Sequence, residues 1–517
     1  MLTPEYLATF PDYIVELFEQ YDAFVVEDFA RRVAKAGKVT DTAEWQAIRA
    51  SEMGLSMDEL TSRSAELLEI TQAELQAMYQ EAFDSYIESD AKRFSGTGLN
   101  YERIANNPVL KDYMTAAQAQ TQRSLQNILG HTGAIKSMTG TTAVMLKIGN
   151  TYMPVSKAYT MALDLAQMQV STGVLDYNTA IRNAIRSVSK QGVSTLIGDA
   201  VGYDSGYHIS VRAAARMCVL TGVNQMAGQM NKLVCDELDL DLVEVTAHMG
   251  ARPSHQVWQG QIFSRAGKSD KYEDLVSATG YGTVSGLMGA NCRHNYYGYF
   301  EGSPRAYTDR QLYEMTDEGG PHIKYEGREY TYYEATQKQR QLERQIISTK
   351  RELIGYNAAG DKEAFQEASI KLRGQKNRYM DFSKKANLAP QTEWLHQDGY
   401  DRHISGKATW AVRKAATPQL TNAAGRGIIT GRDNSQFGIP NSIVQTVGKN
   451  GGITRDYYDG LGVWVKEITN NDHNYPKRHP FGEHGEHAHD ITWIKGKQNR
   501  TVRNLTDDER KENADIL

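Results

Sequence analysis

The sequence predicts an α+β multidomain protein: a predominantly helical N-terminal half, a small central α+β module, a helical hairpin arm and a β-rich C-terminal module. Three observations predict it. Only 12 of the 517 residues are proline, which leaves room for long helices. Apolar residues recur at steps of three and four through the first half, the spacing of one helical face. After Asp239, and again after Ser442, short β-branched runs lie between Gly-rich turns, the pattern of strands. Five segments are distinguished on this pattern: 1–100, 101–238, 239–305, 306–389 and 390–517.

The composition, 40% hydrophobic and 23% charged, is that of a globular chain. Three cysteines exclude a disulfide framework. The opening residues carry Glu5, Asp12, Glu16 and Glu19 without a basic start or an apolar run, so no secretory signal is expected. The weakly charged stretch from Met138 to Met168 is broken by Gly140, Gly149 and Pro154, so no membrane span is expected either. The net charge of −5 conceals an asymmetry: residues 1–100 hold 19 acidic and eight basic side chains, a net of −11, and the rest sums to +6. Such a split marks either a solvated helical face or different partners for the two ends.

Ile14, Leu17, Phe18, Tyr21, Val25 and Phe29 draw the first apolar stripe, with Gly37 as the expected stop. Thr40-Asp41 opens a second helix through Trp45 and Ile48, and a third runs from about Asp58 to Ile87. Leu110, Tyr113, Met114, Ala117, Leu125 and Ile128 share one face, and Met161, Leu165 and Met168 another. Asp176 to Thr179 cap a helix through Ile181, Ile185 and Val188, and Ser210 to Val234 is a long helix with Cys218 and Cys235 expected in its core as small hydrophobes. Leu240 to Ala247 reads as a strand. Two stripes, Leu342-Ile346-Leu353 and Ala364-Ala368-Leu372-Tyr379-Phe382, flank a turn at Gly355–Asp361 and make a helical hairpin. Residues 328–385 carry 13 basic and eight acidic residues, a surface that is either simply solvated or suited to DNA phosphates. Runs at 442–447, 452–458, 463–469 and 488–494 are expected strands of the last module.

The densest chemistry lies between His248 and His294. His248, His255, Cys292 and His294 are a possible zinc set, although their spacing matches no known signature; the alternative is a hydrogen-bonded polar core. An activated Cys292 thiolate lacks an orienting acid. The glycines at 280, 282, 286 and 289 lack the lysine and strand–helix context of a phosphate cradle.

The run His248-x-Gly250-Ala251-Arg252-Pro253-Ser254-His255-x-x-Trp258-Gln259-Gly260 is followed by Thr279-Gly280-Tyr281-Gly282 and Asn291-Cys292-Arg293-His294. Together with Gly37-Lys38-x-Thr40-x-Thr42-Ala43-Glu44-Trp45-Gln46, these resemble the minor capsid protein 2 family of tailed bacteriophages over roughly residues 5–305. They are more distantly similar to head-morphogenesis proteins of the phage Mu F type. The resemblance implies a structural virion protein, made in the bacterial cytoplasm and placed near the portal or inside the head. It implies portal and major capsid proteins as partners, with phage DNA as a further one. No membrane contact or small-molecule substrate is expected. On this resemblance His248, Arg252, His255, Trp258, Gly260, Asn291, Cys292, Arg293 and His294 build one folded core rather than a catalytic site.

The tail packs five of the 13 histidines into the 17 residues from His473 to His489. Three readings compete: a metal site of His484, His487 and His489; a nuclease-like site with His473, His479 or its neighbours as acid and base and Lys477 and Arg478 on phosphate; and a polar turn without chemistry. In style the tail is similar to the small ribonuclease-like modules that end some phage head proteins.

Overall fold

The computed structural model describes residues 2–36, 42–97, 100–129, 144–148, 150–155, 157–162, 164, 177–197, 207–431, 435–448, 451–473, 477, 480–494 and 497–517. The chain divides into two compact units: Met1–Lys338 with Gln397–Gly399, and Gln339–His396 with Tyr400–Leu517.

The first unit opens with α1 (Pro4–Thr9), held by the Thr3 side chain at its N-cap, then α2 (Asp12–Ala36) and α3 (Thr42–Arg93). The α2 stripe is buried as expected, with Ile14, Phe18, Val25 and Phe29 fully shielded. Where two helices are expected between residues 40 and 87, one 52-residue helix runs through. The helix includes Gly54, whose place in a helix interior costs only about 1 kcal/mol relative to alanine. The expected stop at Gly37 and start at Thr40-Asp41 lie outside the described residues. The helices α4 (Tyr101–Ala105), α5 (Pro108–Leu129), α6 (Tyr177–Gln191) and α7 (Val211–Glu237) follow. α7 packs against α2 and α5, and Ser210 caps it by accepting from Ala213 N–H. Tyr113 is exposed rather than on the buried face of α5, Met161 is exposed, and Leu165 and Met168 lie outside the described residues.

The acidic stretch is not a free arm. Glu19 pairs with Arg212 at 2.6 Å, Asp22 accepts from the Val193 amide at 2.6 Å, and Asp28 accepts from Arg32 and from Tyr159. All three carboxylates are buried. Part of the −11 is therefore internal wiring of the helical unit. A second departure is a four-stranded antiparallel sheet, β1 (Val144–Ile148), β2 (Thr151–Pro154), β3 (Ser194–Ile197) and β4 (Tyr207–Ser210), in the order β2-β1-β3-β4. These strands are four or five residues long, too short for a period to stand out against the surrounding helical stripes.

β5 (Leu242–Val245) falls inside the predicted strand. It is the middle strand of an antiparallel trio with β6 (Ile262–Ser264) and β7 (Tyr296–Gly298). The short helices α8 (Pro253–Gln256) and α9 (Leu275–Thr279) lie in the connections. Val243, Val245, Trp258, Phe263, Leu275, Leu287 and Tyr296 form its core, together with Cys235 of α7 and Cys292. α10 (Asp309–Glu314) and the hairpin β8 (Ile323–Tyr325)–β9 (Arg328–Tyr330) complete the region.

The helical pair is α11 (Tyr332–Ala359) and α12 (Lys362–Lys385), with the turn reduced to Gly360-Asp361. Gly360 has φ +72° and Asp361 caps α12 by accepting from Ala364 N–H. Both predicted stripes are buried. So are Lys350, Arg351 and Arg378, which removes three cations from the surface that the sequence offers to DNA. After α13 (Arg402–Ala415) comes a seven-stranded sheet: β10 (Leu420–Thr421), β11 (Gly427–Thr430), β12 (Ile443–Val447), β13 (Ile453–Tyr458), β14 (Trp464–Thr469), β15 (His487–Ile494) and β16 (Lys497–Arg503). The strands lie in sequence order, antiparallel except for β11 with β12. α14 (Asp507–Glu512) ends the chain. Among the described residues no helix is long and apolar enough to cross a membrane.

Candidate functional site

Two clusters gather the chemistry, one in each unit. The first lies on the loops around β5 and β7. Proline at the first position of α8 starts that helix and places His255 inward. Arg252 donates to the Ala290 carbonyl at 2.9 Å, and Asn291 turns the chain with φ +56° just before Cys292. Gly260 has φ +67°, and a Cβ there would sit 2.3 Å from Leu312 Cδ2, so backbone and neighbour both require glycine. Trp258 is buried, with its ring centroid 4.4 Å from that of His255 and 4.9 Å from that of His294.

Of the four predicted ligands, three converge. His255 Nδ1 lies 3.4 Å from His294 Nδ1, and Cys292 Sγ lies 3.9 Å and 3.6 Å from those two atoms. The opposite nitrogens face oxygen acceptors: His255 Nε2 is 2.9 Å from the Ser285 carbonyl, and His294 Nε2 is 3.1 Å from Gln259 Oε1. The fourth residue, His248, is not part of this set. Its ring stacks on His294 at 4.4 Å, while its Nδ1 lies beside the Met249 carbonyl and Arg293. Burial pushes His248 down to about 3, with Arg293 adding to the shift, and burial pushes His255 down to about 4. Burial likewise holds His294 well below its usual range and the Cys292 thiol above its own. A buried thiol held protonated, with no carboxylate partner, does not fit an activated nucleophile.

The module also rests on an amide network that the sequence reading missed. Asn224 of α7, fully buried, donates to the carbonyls of Cys292 at 3.0 Å and His294 at 2.9 Å, and accepts from Asn295 at 2.9 Å. Asn231, two turns further on, donates to Asn295 Oδ1 at 2.7 Å and lies 2.7 Å from the Tyr86 hydroxyl. The available signal was two asparagines seven residues apart, and so on one face, where the other buried residues of the helix are apolar.

The second cluster is on one face of the C-terminal sheet. Strand register sets Asp456, Glu467 and His489 side by side on β13, β14 and β15, and His487 opposite Thr469. All five are buried. His487 Nδ1 donates to the Gly485 carbonyl at 2.7 Å, so its Nε2 accepts from His489 Nε2 at 3.0 Å. Glu467 pairs with Arg500 and lies 3.7 Å from His489 Nε2. Burial raises the Glu467 carboxyl above its usual value, against the pull of Arg500. The predicted trio of His484, His487 and His489 is corrected: His484 is exposed, and His473 completes the group whose ligand atoms lie within 4.8 Å of one another. Lys477 is exposed, and Arg478 and His479 lie outside the described residues. Asp456 and Arg500 were missed because only cross-strand register brings them to the histidines.

A helical unit wired through buried ion pairs, closing on a small sheet with a histidine–cysteine core, places the chain among phage structural proteins once the comparisons are added. The chain belongs to the Phage minor capsid protein 2 family, whose model matches residues 2–384. It is similar to a "Structural protein" of Lactococcus phage LL-H, 24% identical over 268 residues. That alignment takes in 50% of this chain and 64% of the relative's length. No solved structure matches. The family match extends beyond the 5–305 of the sequence resemblance, through both helices of the hairpin.

Proposed function

We propose that the protein sits at the portal vertex or inside the head, contacts the portal and major capsid proteins, and assists capsid assembly and the packaging or ejection of DNA. The observation that carries this reading is the extent of the family match. It takes in the helical unit, the histidine–cysteine core and the helical pair, and stops at residue 384, before the seven-stranded sheet. Exposed acids such as Glu16, Glu27, Glu69 and Glu81 supply a negative surface for a basic partner. Because Glu19, Asp22 and Asp28 are internal, removing the first 90 residues would unfold the unit, so the test uses surface changes. Mass spectrometry of purified virions is expected to find the chain in intact heads, and a chain with those four exposed glutamates changed to lysine is expected to be depleted there. Absence of the unaltered chain from purified particles overturns the reading.

A second reading is favoured by one specific arrangement, the buried row of Asp456, Glu467 and His489. Two carboxylates directly opposite each other repel unless a proton or cation lies between them, which is how acid–base pairs are tuned. On this reading the C-terminal sheet is a nuclease-like effector of the ribonuclease type. Of His473 and His489, one takes a proton from a ribose hydroxyl and the other protonates the leaving oxygen, while buried His487 orients His489 through its hydrogen bond and Arg500 binds phosphate. The full chain is then expected to cleave RNA, with His489→Gln lowering the rate about a hundredfold or more. Equal cleavage by both chains, or none by either, removes the effector reading and leaves the virion reading standing.

A further inference from the structure

We propose that His255 Nδ1, His294 Nδ1 and Cys292 Sγ hold a structural zinc ion in the central module. The hydrogen-bond partners fix the tautomers of both rings. Gln259 Oε1 accepts from the His248 backbone N–H at 3.1 Å, which identifies that atom as the amide oxygen. His294 Nε2 faces the same oxygen and must therefore carry the hydrogen. His255 Nε2 faces the Ser285 carbonyl and must carry its hydrogen as well. Both Nδ1 atoms are left as bare lone pairs, aimed at each other across 3.4 Å and at a sulfur. The one hydrogen of a thiol satisfies a single nitrogen and leaves the other facing a lone pair. A cation at the centre satisfies all three atoms together.

The edge lengths fit zinc. Zinc–nitrogen bonds of about 2.0–2.1 Å and a zinc–sulfur bond of about 2.3 Å, at tetrahedral angles, put the nitrogens about 3.4 Å apart and the sulfur about 3.6 Å from each. The observed edges are 3.4, 3.6 and 3.9 Å. The outer contacts are those of a metal centre: each ligating imidazole donates its other N–H to a carbonyl-type oxygen, which fixes the ring and raises its basicity. Mixed imidazole and thiolate donors suit zinc rather than magnesium or calcium. The remaining position belongs to water or hydroxide. Each ligand residue is at most 2% exposed, so the ion joins α8 to the segment entering β7 and has no route to a substrate. Binding replaces the Cys292 S–H proton, which is released to solvent.

Full-length protein purified without chelators or a metal-affinity step is expected to contain one zinc per chain by elemental analysis. After exchange into cobalt(II), it is expected to show a near-ultraviolet thiolate-to-cobalt absorption band. Cys292→Ser is expected to lose the band and the zinc, while His248→Gln, altered at a stacked non-ligand, is expected to keep both. A metal-free chain overturns the proposal and leaves a thiol–imidazole hydrogen bond in its place. Full zinc content in Cys292→Ser also overturns it, and would point to His473, His487 and His489 instead. If Cys292→Ser does not fold, the unaltered chain still decides: cobalt bound without the thiolate band refutes the site. The outcome is independent of where the protein sits in the virion.

Discussion

Asn224 shows how one side chain can hold a loop-built module. Its amide donates to the backbone carbonyls of Cys292 and His294, on either side of Arg293, and accepts from Asn295, so one buried residue pairs three polar groups. Each group left unpaired on burial costs roughly 1–3 kcal/mol. Asn224→Leu keeps the side chain's branching and the helix, yet is expected to destabilise the first unit by about 3 kcal/mol, read as an earlier midpoint in urea unfolding. A change below about 0.5 kcal/mol would mean that the carbonyls find other donors. The contrast with the histidines is instructive. His248, His255, Cys292 and His294 stand out in the sequence by type and were identified there as one group. Asn224 and Asn231 look like tolerated polar residues in a helix, because their value depends on carbonyls about 70 residues away.

At the scale of elements, the C-terminal sheet is locked by its last helix. Thr506 and Glu509 form a capping box at the start of α14. The same Glu509 receives Arg503 of β16 at 2.7 and 2.9 Å and Lys466 of β14 at 2.9 Å, while Arg503 also holds Asp490 of β15. One carboxylate thus ties the helix to β14 and β16, and Arg503 carries the tie on to β15. The Arg503 guanidinium, helped by Thr506 and Lys466, holds Glu509 far below its ordinary 4.5. The folded state therefore binds this proton less readily than the unfolded chain. The stabilisation is full above about pH 4.5 and is lost as pH falls through the folded value. Glu509→Gln is expected to cost about 2 kcal/mol at pH 7, the scale of charge-assisted hydrogen bonds. The gap to the unaltered chain should narrow below about pH 4 in denaturant titrations. A gap that does not change with pH would assign the effect to packing. The strands β12 to β15 were legible from period and fall within two residues of their predicted positions, whereas α13 and α14 lie in a region read only as β-rich. The strands β10, β11 and β16 were not legible: β10 spans two residues, and all but one residue of β16 are exposed, so no alternation marks them.

At the scale of the molecule, the family match and the C-terminal sheet do not overlap, since the match ends at residue 384 and the sheet begins at Leu420. If the virion role belongs to the matched part, substitutions in the two regions should separate. His487→Ala with His489→Ala is expected to leave incorporation into purified heads unchanged, and Asn224→Leu to reduce it, both read by virion mass spectrometry. Equal depletion by both would place the sheet within the assembly function. The charge asymmetry changes meaning at this scale as well. The count of −11 in the first 100 residues describes sequence, while Glu19, Asp22 and Asp28 are spent inside the unit and only part of the charge reaches a partner.

The sequence by itself determined the order of helical and strand-rich regions, the hairpin with its two buried stripes, and the histidine–cysteine segment that carries the family resemblance. These depend on local period, on turn residues and on residue type, all of which are written along the chain. Only the tertiary structure decided which histidines meet, that His248 stands beside the convergent trio rather than in it, that His473 replaces His484, and that acids and cations counted as surface charge, such as Glu19 and Lys350, are internal. Those facts depend on strand register and helix packing. A shift of one residue in register sends a side chain to the opposite face, and no count along the chain records which face was chosen.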